Sequence, residues 1–284
     1  MEHRLGPLQS TLPAPYFRPF ELGSLTVELL PAGHVLGSAQ LKVTRSDGHR
    51  VVYTGDISLE PASTALPASI VGCDTLVLES TFGDPRFRFP SKASVVDEIE
   101  LWCRRALSRG VRPILYAYSL GKGQEIIHQL SQRGLAICAH PSIHDITTLY
   151  RELGVDISAR RFEGEFEPNE VGVFPPFGRS AALKRISPKV TAVLTGWAME
   201  RWAARRYGAD VAFPLSDHAD FPALVRIAKE SGAKEIVTHH GFAKELAEGL
   251  RKEGLFARAV TQAVQMELPL AADAGDNAQL PLLG

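Results

Sequence analysis

Only three cysteines occur in the 284 residues, Cys73, Cys103 and Cys138, and no CxxC spacing joins them. An odd, unpaired set excludes a disulfide framework and a thiolate zinc site, and leaves buried thiols. Long apolar runs are also missing. The longest, 71–78 and 190–194, are strand-sized and far short of the roughly 20 residues a membrane span requires. The opening Met1-Glu2-His3-Arg4-Leu5-Gly6 carries no apolar stretch after a basic end, so no secretory signal is read there. A cytoplasmic location with no membrane partner is the expectation. Net charge is nearly absent, since 31 Lys and Arg against 32 Asp and Glu give −1. Nucleic acid would therefore have to be held by a local basic face.

What is present is 45% hydrophobic and 22% charged sequence, enough for one large core or two modest ones. Short β-branched runs alternate with amphipathic segments, the mark of a layered α/β protein. Strands are expected at 25–30, 40–44 and 50–54, with Ser46-Asp47-Gly48 as a hairpin turn, and at 75–78. From about residue 91 the order becomes helix 94–109, strand 113–117, helix 123–133, strand 135–138 and helix 143–153. Residues 162–179, rich in Gly, Pro and Glu, read as an exposed connection. Strands at 191–194, 235–238 and 257–260 and helices at 221–231 and 242–253 follow. Beyond about residue 267 the tail reads as disordered.

Four polar clusters stand directly after expected strands: Gly33-His34, Gly55-Asp56, Glu79 and His239-His240-Gly241, with His218 in a loop before a helix. Side chains at strand ends of an α/β sheet converge on one edge. Taken singly, each cluster is more simply a hydrogen-bonded turn. Together, imidazole and carboxylate suit zinc, manganese or iron. Alternation along the strand sends His239 away from whatever His240 faces. Leu120-Gly121-Lys122-Gly123 follows a strand and opens a helix, so Lys122 with Ser119 is a candidate phosphate contact, against a plain tight turn. GxxxxGK[ST] spacing is lacking, which excludes a triphosphate loop. Arg86, Arg88, Arg201, Arg205 and Arg206 are candidates for a basic groove, with solvation the simpler role for any one of them. Trp102, Trp197 and Trp202 read as core or contact residues rather than stacking platforms. His3, His49 and His128 read as exposed, and Ser142 or Asp145 as a helix cap beside His140.

The runs Ala32-Gly33-His34-Val35-Leu36-Gly37-Ser38-Ala39-Gln40, Tyr53-Thr54-Gly55-Asp56, Glu79-Ser80-Thr81-Phe82-Gly83, Leu215-Ser216-Asp217-His218-Ala219-Asp220 and His240-Gly241 resemble, in order, motifs of the β-CASP metallo-β-lactamase nucleases. The resemblance covers about 4–260. It is closest to the bacterial DNA-ligase-associated exonuclease branch, through 31–40, 79–83 and Tyr116-Ala117-Tyr118-Ser119-Leu120-Gly121-Lys122-Gly123-Gln124. It implies a metallo-β-lactamase αββα sandwich, N-terminally incomplete, with an inserted β-CASP α/β lobe. Residues 1–84 would begin the sandwich, 85–213 form the insert, 214–266 return to the sandwich and 267–284 form the tail. The implied site has His34 on one metal, His240 on the other and Asp56 bridging them, with two zinc or manganese ions. His218 would be the acid and Glu79 its orienting partner. The implied substrate is nucleic acid, DNA before RNA, with a DNA ligase or helicase as partner.

The family's His-x-His-x-Asp-His element does not occur in these residues. Each metal is left with two protein ligands where hydrolytic zinc usually has three, so weak metal binding and impaired cleavage are expected. Arg4-Leu5-Gly6 looks like a segment that follows the missing motif, so a late chain start is expected, with residues 25–30 beside an unpaired edge or an uncovered apolar face. The alternatives are a non-catalytic nucleic-acid-binding relative and a small-ester metallo-hydrolase, the latter disfavoured by the size of the insert.

Overall fold

The computed structural model describes residues 12–176 and 181–260; His3, Arg4-Leu5-Gly6, the end of the 162–179 segment and the tail from 267 lie outside them. In chain order the first elements are β1 (Phe20–Leu22), β2 (Leu25–Pro31), β3 (Ala39–Thr44), β4 (Arg50–Tyr53), β5 (Thr75–Glu79), α1 (Lys92–Leu107), β6 (Arg112–Tyr116), α2 (Lys122–Gln132), β7 (Ala136–Ala139) and α3 (Pro141–Glu152). Then come β8 (Arg160–Arg161), β9 (Glu170–Phe174), α4 (Ala181–Arg185), β10 (Lys189–Leu194), a 3-10 turn (Gly196–Met199), α5 (Ala203–Tyr207), β11 (Val211–Phe213), α6 (Phe221–Glu230), β12 (Glu235–His239), α7 (Ala243–Lys252) and β13 (Ala257–Ala259).

Two sheets result, and the protein is mixed α/β. The first runs β1-β2-β3-β4-β5-β12-β13: an antiparallel meander up to β4, then parallel strands. The second runs β11-β10-β6-β9-β7-β8 and is parallel throughout. Its core is Val95 and Ile99 of α1, Ile126 and Leu130 of α2 and Ile143 of α3 against Leu115, Val171 and Leu194. Parallel strands buried on both faces read as continuous apolar runs, which is what β6 and β10 show.

On the first sheet, α6 and α7 cover one face, where Val52, Leu76, Leu78 and Ile236 meet Leu224, Ile227, Leu246 and Leu250. Strand alternation puts Leu41, Val51, Tyr53 and Val77 on the opposite face, where Tyr53 is exposed and the other three are half-buried. Of the bare edge or uncovered apolar face expected at β2, the edge is covered in part, because β1 pairs with Leu25, Thr26 and Val27.

The connection read across 162–179 is corrected by β9, a wholly buried strand between β6 and β7. Its flanking Gly, Pro and Glu hid it. Glu170 is buried by pairing with Arg160 at 2.6 Å, and Gly172 is required because a Cβ there would lie 2.5 Å from Ile114 Cδ1. Strands β1 and β11, three residues each, carry too little pattern to be foreseen.

Candidate active site

The loop after β2 aims His34. Ser38 Oγ accepts from the backbone N–H of His34 and of Val35, both at 3.1 Å, which closes the turn. Gly33 at φ +72° has no room for a Cβ, which would sit 2.3 Å from the Ser58 carbonyl. His34 Nδ1 donates to the Asp217 carbonyl at 2.9 Å. A carbonyl can only accept, so the neutral ring carries its proton on Nδ1 and keeps a lone pair on Nε2. That nitrogen is 3.7 Å from Asp56 Oδ2, on an exposed carboxylate that follows β4.

Glu79 ends β5 with no exposed surface. Its carboxylate accepts from Ile57 N–H at 2.8 Å, Thr81 N–H at 3.2 Å and His218 Nδ1 at 3.0 Å. Burial raises its pKa, but the His218 hydrogen bond and charge, with the backbone donors, outweigh burial and hold it below the ordinary value. His218 shows the converse. Burial opposes its charge, yet Glu79 first, then Asp217 and Asp56, hold its pKa above the ordinary histidine value. The rings of His34 and His218 lie 4.6 Å apart.

The structure thus brings His34, Asp56, Glu79 and His218 together. His240 follows β12 and is exposed, in the left-handed region at φ +64°, with its carbonyl accepting from Ser80 Oγ at 2.6 Å. His239 faces the cleft side. It pairs in register with Glu79, stacks on Tyr53 at 5.3 Å, and feels the charges of Glu79 and Asp56. Its Nε2 is buried without a partner.

Lys122 is placed differently from the phosphate expectation. It is 5% exposed, and its ammonium lies 2.9 Å from Asp217 Oδ1. The N–H groups of the α2 terminus are also taken: Gly121 donates to Gln124 Oε1, Lys122 to the Leu120 carbonyl and Gly123 to the Tyr118 carbonyl. No anion cradle is left open there. Ser119 Oγ pairs with Ser142 Oγ at 3.3 Å. Lys122 instead links the second sheet to the motif loop whose carbonyl orients His34. Lys122, His218 and His34 hold the buried Asp217 far below the usual carboxylate range. Nearby, Glu125 of α2 accepts from the N–H of Ser63 at 3.0 Å and from the N–H and hydroxyl of Thr64, at 3.2 and 3.0 Å, a second link, from α2 to the loop between β4 and β5.

Lesser expectations resolve as follows. His140 caps α3 itself, its Nδ1 accepting from Ser142 N–H at 3.2 Å, while Asp145 pairs with Arg161. His49 and His128 are half-buried, not exposed. The three cysteines are free and buried.

Does the site suit a divalent cation? Two groups of three side chains bring ligand atoms within 4.8 Å of one another: His34, Asp217 and His218, and Asp56, Glu79 and His218. In the first Asp217 is committed to Lys122, and in the second Glu79 and His218 are committed to each other. What fits is the uncommitted pair, His34 Nε2 and Asp56, an imidazole and a carboxylate oxygen aimed at one point.

The fold and site define a two-sheet α/β protein with a His/Asp/Glu cleft suited to a cation. No family model matches the chain. A "Probable DNA ligase" of Opitutus terrae is 38% identical over 244 residues, 85% of this chain. The "RNase aCSPSF2" of Saccharolobus solfataricus is 33% identical over 121 residues, 42% of this chain. The chain spans 24% of the length of each of these relatives. A crystal structure of a protein of unknown function from Enterococcus faecalis V583 shares the fold at TM-score 0.57 and 13% identity, covering 90% of this chain and 66% of that one. The names of these relatives, with an RNase J-like protein of Methanocaldococcus jannaschii 34% identical over 98 residues, are consistent with the β-CASP metallo-β-lactamase nucleases that the motifs resemble. Among the described residues no helix is long and apolar enough to cross a membrane.

Proposed function

We propose that this chain is a phosphodiesterase module acting on nucleic acid, DNA before RNA, in which the second sheet and its helices are the β-CASP lobe clamped on a metallo-β-lactamase domain. The observation that carries the proposal is the His218–Glu79 dyad, 3.0 Å between donor and acceptor, beside the uncommitted His34 and Asp56. Glu79 holds the Nδ1 proton and favours the charged imidazole, so His218 can release its Nε2 proton to a leaving oxygen and recover it from water. His34 and Asp56 would hold a divalent cation, with His240 on a second. A bound cation supplies an activated hydroxide and charge against the phosphate. Lys122 and Asp217 fix the His34 ring, and Phe82 and Trp197 wall the cleft beside His218.

DNA is favoured over RNA because a protein named as a probable DNA ligase matches 85% of the chain, and ligation calls for trimmed strand ends. The ligand set within these 284 residues is thin, so cation binding is weak and turnover low. Labelled oligonucleotides incubated with the protein and Mn(II) test the proposal. Slow cleavage abolished by His218→Ala and Glu79→Gln supports it. Cleavage unaffected by both variants would refute the role of the dyad.

A further inference from the structure

Beside the His218 cleft, and continuing outward from its Trp197 wall, runs a strip of aromatic surface. Tyr118, following β6, lines the same cavity of about 260 Å³ as His34, His218 and Trp197, and its ring is 44% exposed. Its hydroxyl meets that of Tyr207 at 3.3 Å, at the end of α5. The 3-10 turn after β10 presents Trp197, whose ring lies 6.1 Å from that of Trp202 at an interplanar angle of 32°. Trp202 is 41% exposed, and the Arg206 guanidinium sits 5.3 Å over its ring. Arg201, Arg205 and Arg206 are exposed and none is ion-paired among the described residues.

Aromatic rings left in water at this cost are out of place for packing alone. Trp197 is itself half-buried on Phe82, Phe87 and Phe242 and forms the floor of the strip, while Tyr118 and Trp202 are its exposed rings. Trp197 and Trp202, tilted 32° to each other and flanked by guanidinium groups that make no ion pair among the described residues, lead into the cleft and have the makeup of a single-strand platform: bases stack on the rings while cations follow the phosphates. A paired duplex cannot use it, because its bases already stack on one another.

We infer that Tyr118, Trp197 and Trp202, with Arg206, form a stacking track that guides unpaired bases of a single strand toward His218. The inference rests on the nucleic-acid reading above and adds the strand form and the residues that grip it. Its test is intrinsic tryptophan quenching and fluorescence anisotropy on the whole metal-free chain at low salt. The probes are a labelled dT12, its RNA counterpart, an abasic oligomer of equal length and a blunt duplex. Trp202→Ala and Tyr118→Ala should each weaken dT12 binding by roughly 5- to 150-fold, the span of one stacked base. Trp202→Phe should restore most of the loss, which a merely structural role would not predict. Leu22→Ala, an exposed position on β1, should change nothing. Wild-type protein should bind the abasic oligomer about as poorly as Trp202→Ala binds dT12, and the RNA counterpart about as well as dT12. Should Trp202→Ala bind dT12 within twofold of wild type, or the abasic strand bind as well as dT12, the track is overturned while the nucleic-acid reading stands. Absence of wild-type binding to every probe would overturn both.

Discussion

Replacing Lys122 by Met tests the lobe contact most sharply. The wild-type ammonium is 5% exposed and the Asp217 carboxylate 15%, with 2.9 Å between them. Removing one partner of a buried pair costs about 3–5 kcal/mol, because the other charge stays buried and unpaired. Partial access to water and the remaining attraction of His218 and His34 for Asp217 lower that to about 2–4 kcal/mol. With about 2–4 °C of Tm per kcal/mol for chains of this size, the melting temperature should fall by roughly 5–15 °C. Urea titration followed by circular dichroism measures the free-energy loss, and a thermal melt the fall in Tm. Lys122→Met combined with Asp217→Asn should regain at least half the loss, since the stranded charge is gone. The acid limb adds a sign. Asp217 is held below its ordinary 3.8, so its contribution is present above that value and disappears as pH falls through the depressed one. The Lys122→Met protein should show a shallower acid limb. A single variant within about 0.5 kcal/mol of wild type would refute the buried-pair argument.

The Glu79–His218 pair gives a second pH signature. Glu79 is lowered from 4.5 and stabilises above that value, fading as pH falls through its depressed pKa; His218 is raised from 6.5 and stabilises below that value, fading as pH rises through its elevated pKa. Metal-free protein should be most stable between the two, and Glu79→Gln should remove the alkaline decline seen in Tm against pH. Gly172→Ala should cost about 1–3 kcal/mol in chemical denaturation, because its Cβ meets Ile114 at 2.5 Å and Phe166 at 2.8 Å inside the second sheet. Gly33→Ala forces a side chain into the Ser58 carbonyl at φ +72° and should cost about 1–3 kcal/mol while displacing His34, read as a shift of the His34 ring resonances in NMR.

Much of the layered α/β order was legible because period-two alternation and helix amphipathicity are local signals. Strand β9 was not, since Gly172 and Glu170 are poor strand formers whose presence is explained only by Ile114 and Arg160, far away in sequence. The site divided along the same line. His34, Asp56, Glu79 and His218 follow strands or a loop whose position the pattern gives. A glycine-flanked lysine at a helix start is locally identical whether it holds phosphate or a carboxylate, and the carboxylate beside Lys122 is that of Asp217, 95 positions on. Alternation predicted opposite directions for His239 and His240, and the left-handed turn at His240 decides which one the strand carries beside Glu79.

The most direct test of the central claim, that His34 and Asp56 are the cation-binding heart of this cleft, is Mn(II) binding followed by electron paramagnetic resonance on the whole chain. Weak saturable binding that is lost in both His34→Ala and Asp56→Asn, and kept in Lys42→Ala on β3, is the predicted result. Tight binding that survives both site variants would contradict the account.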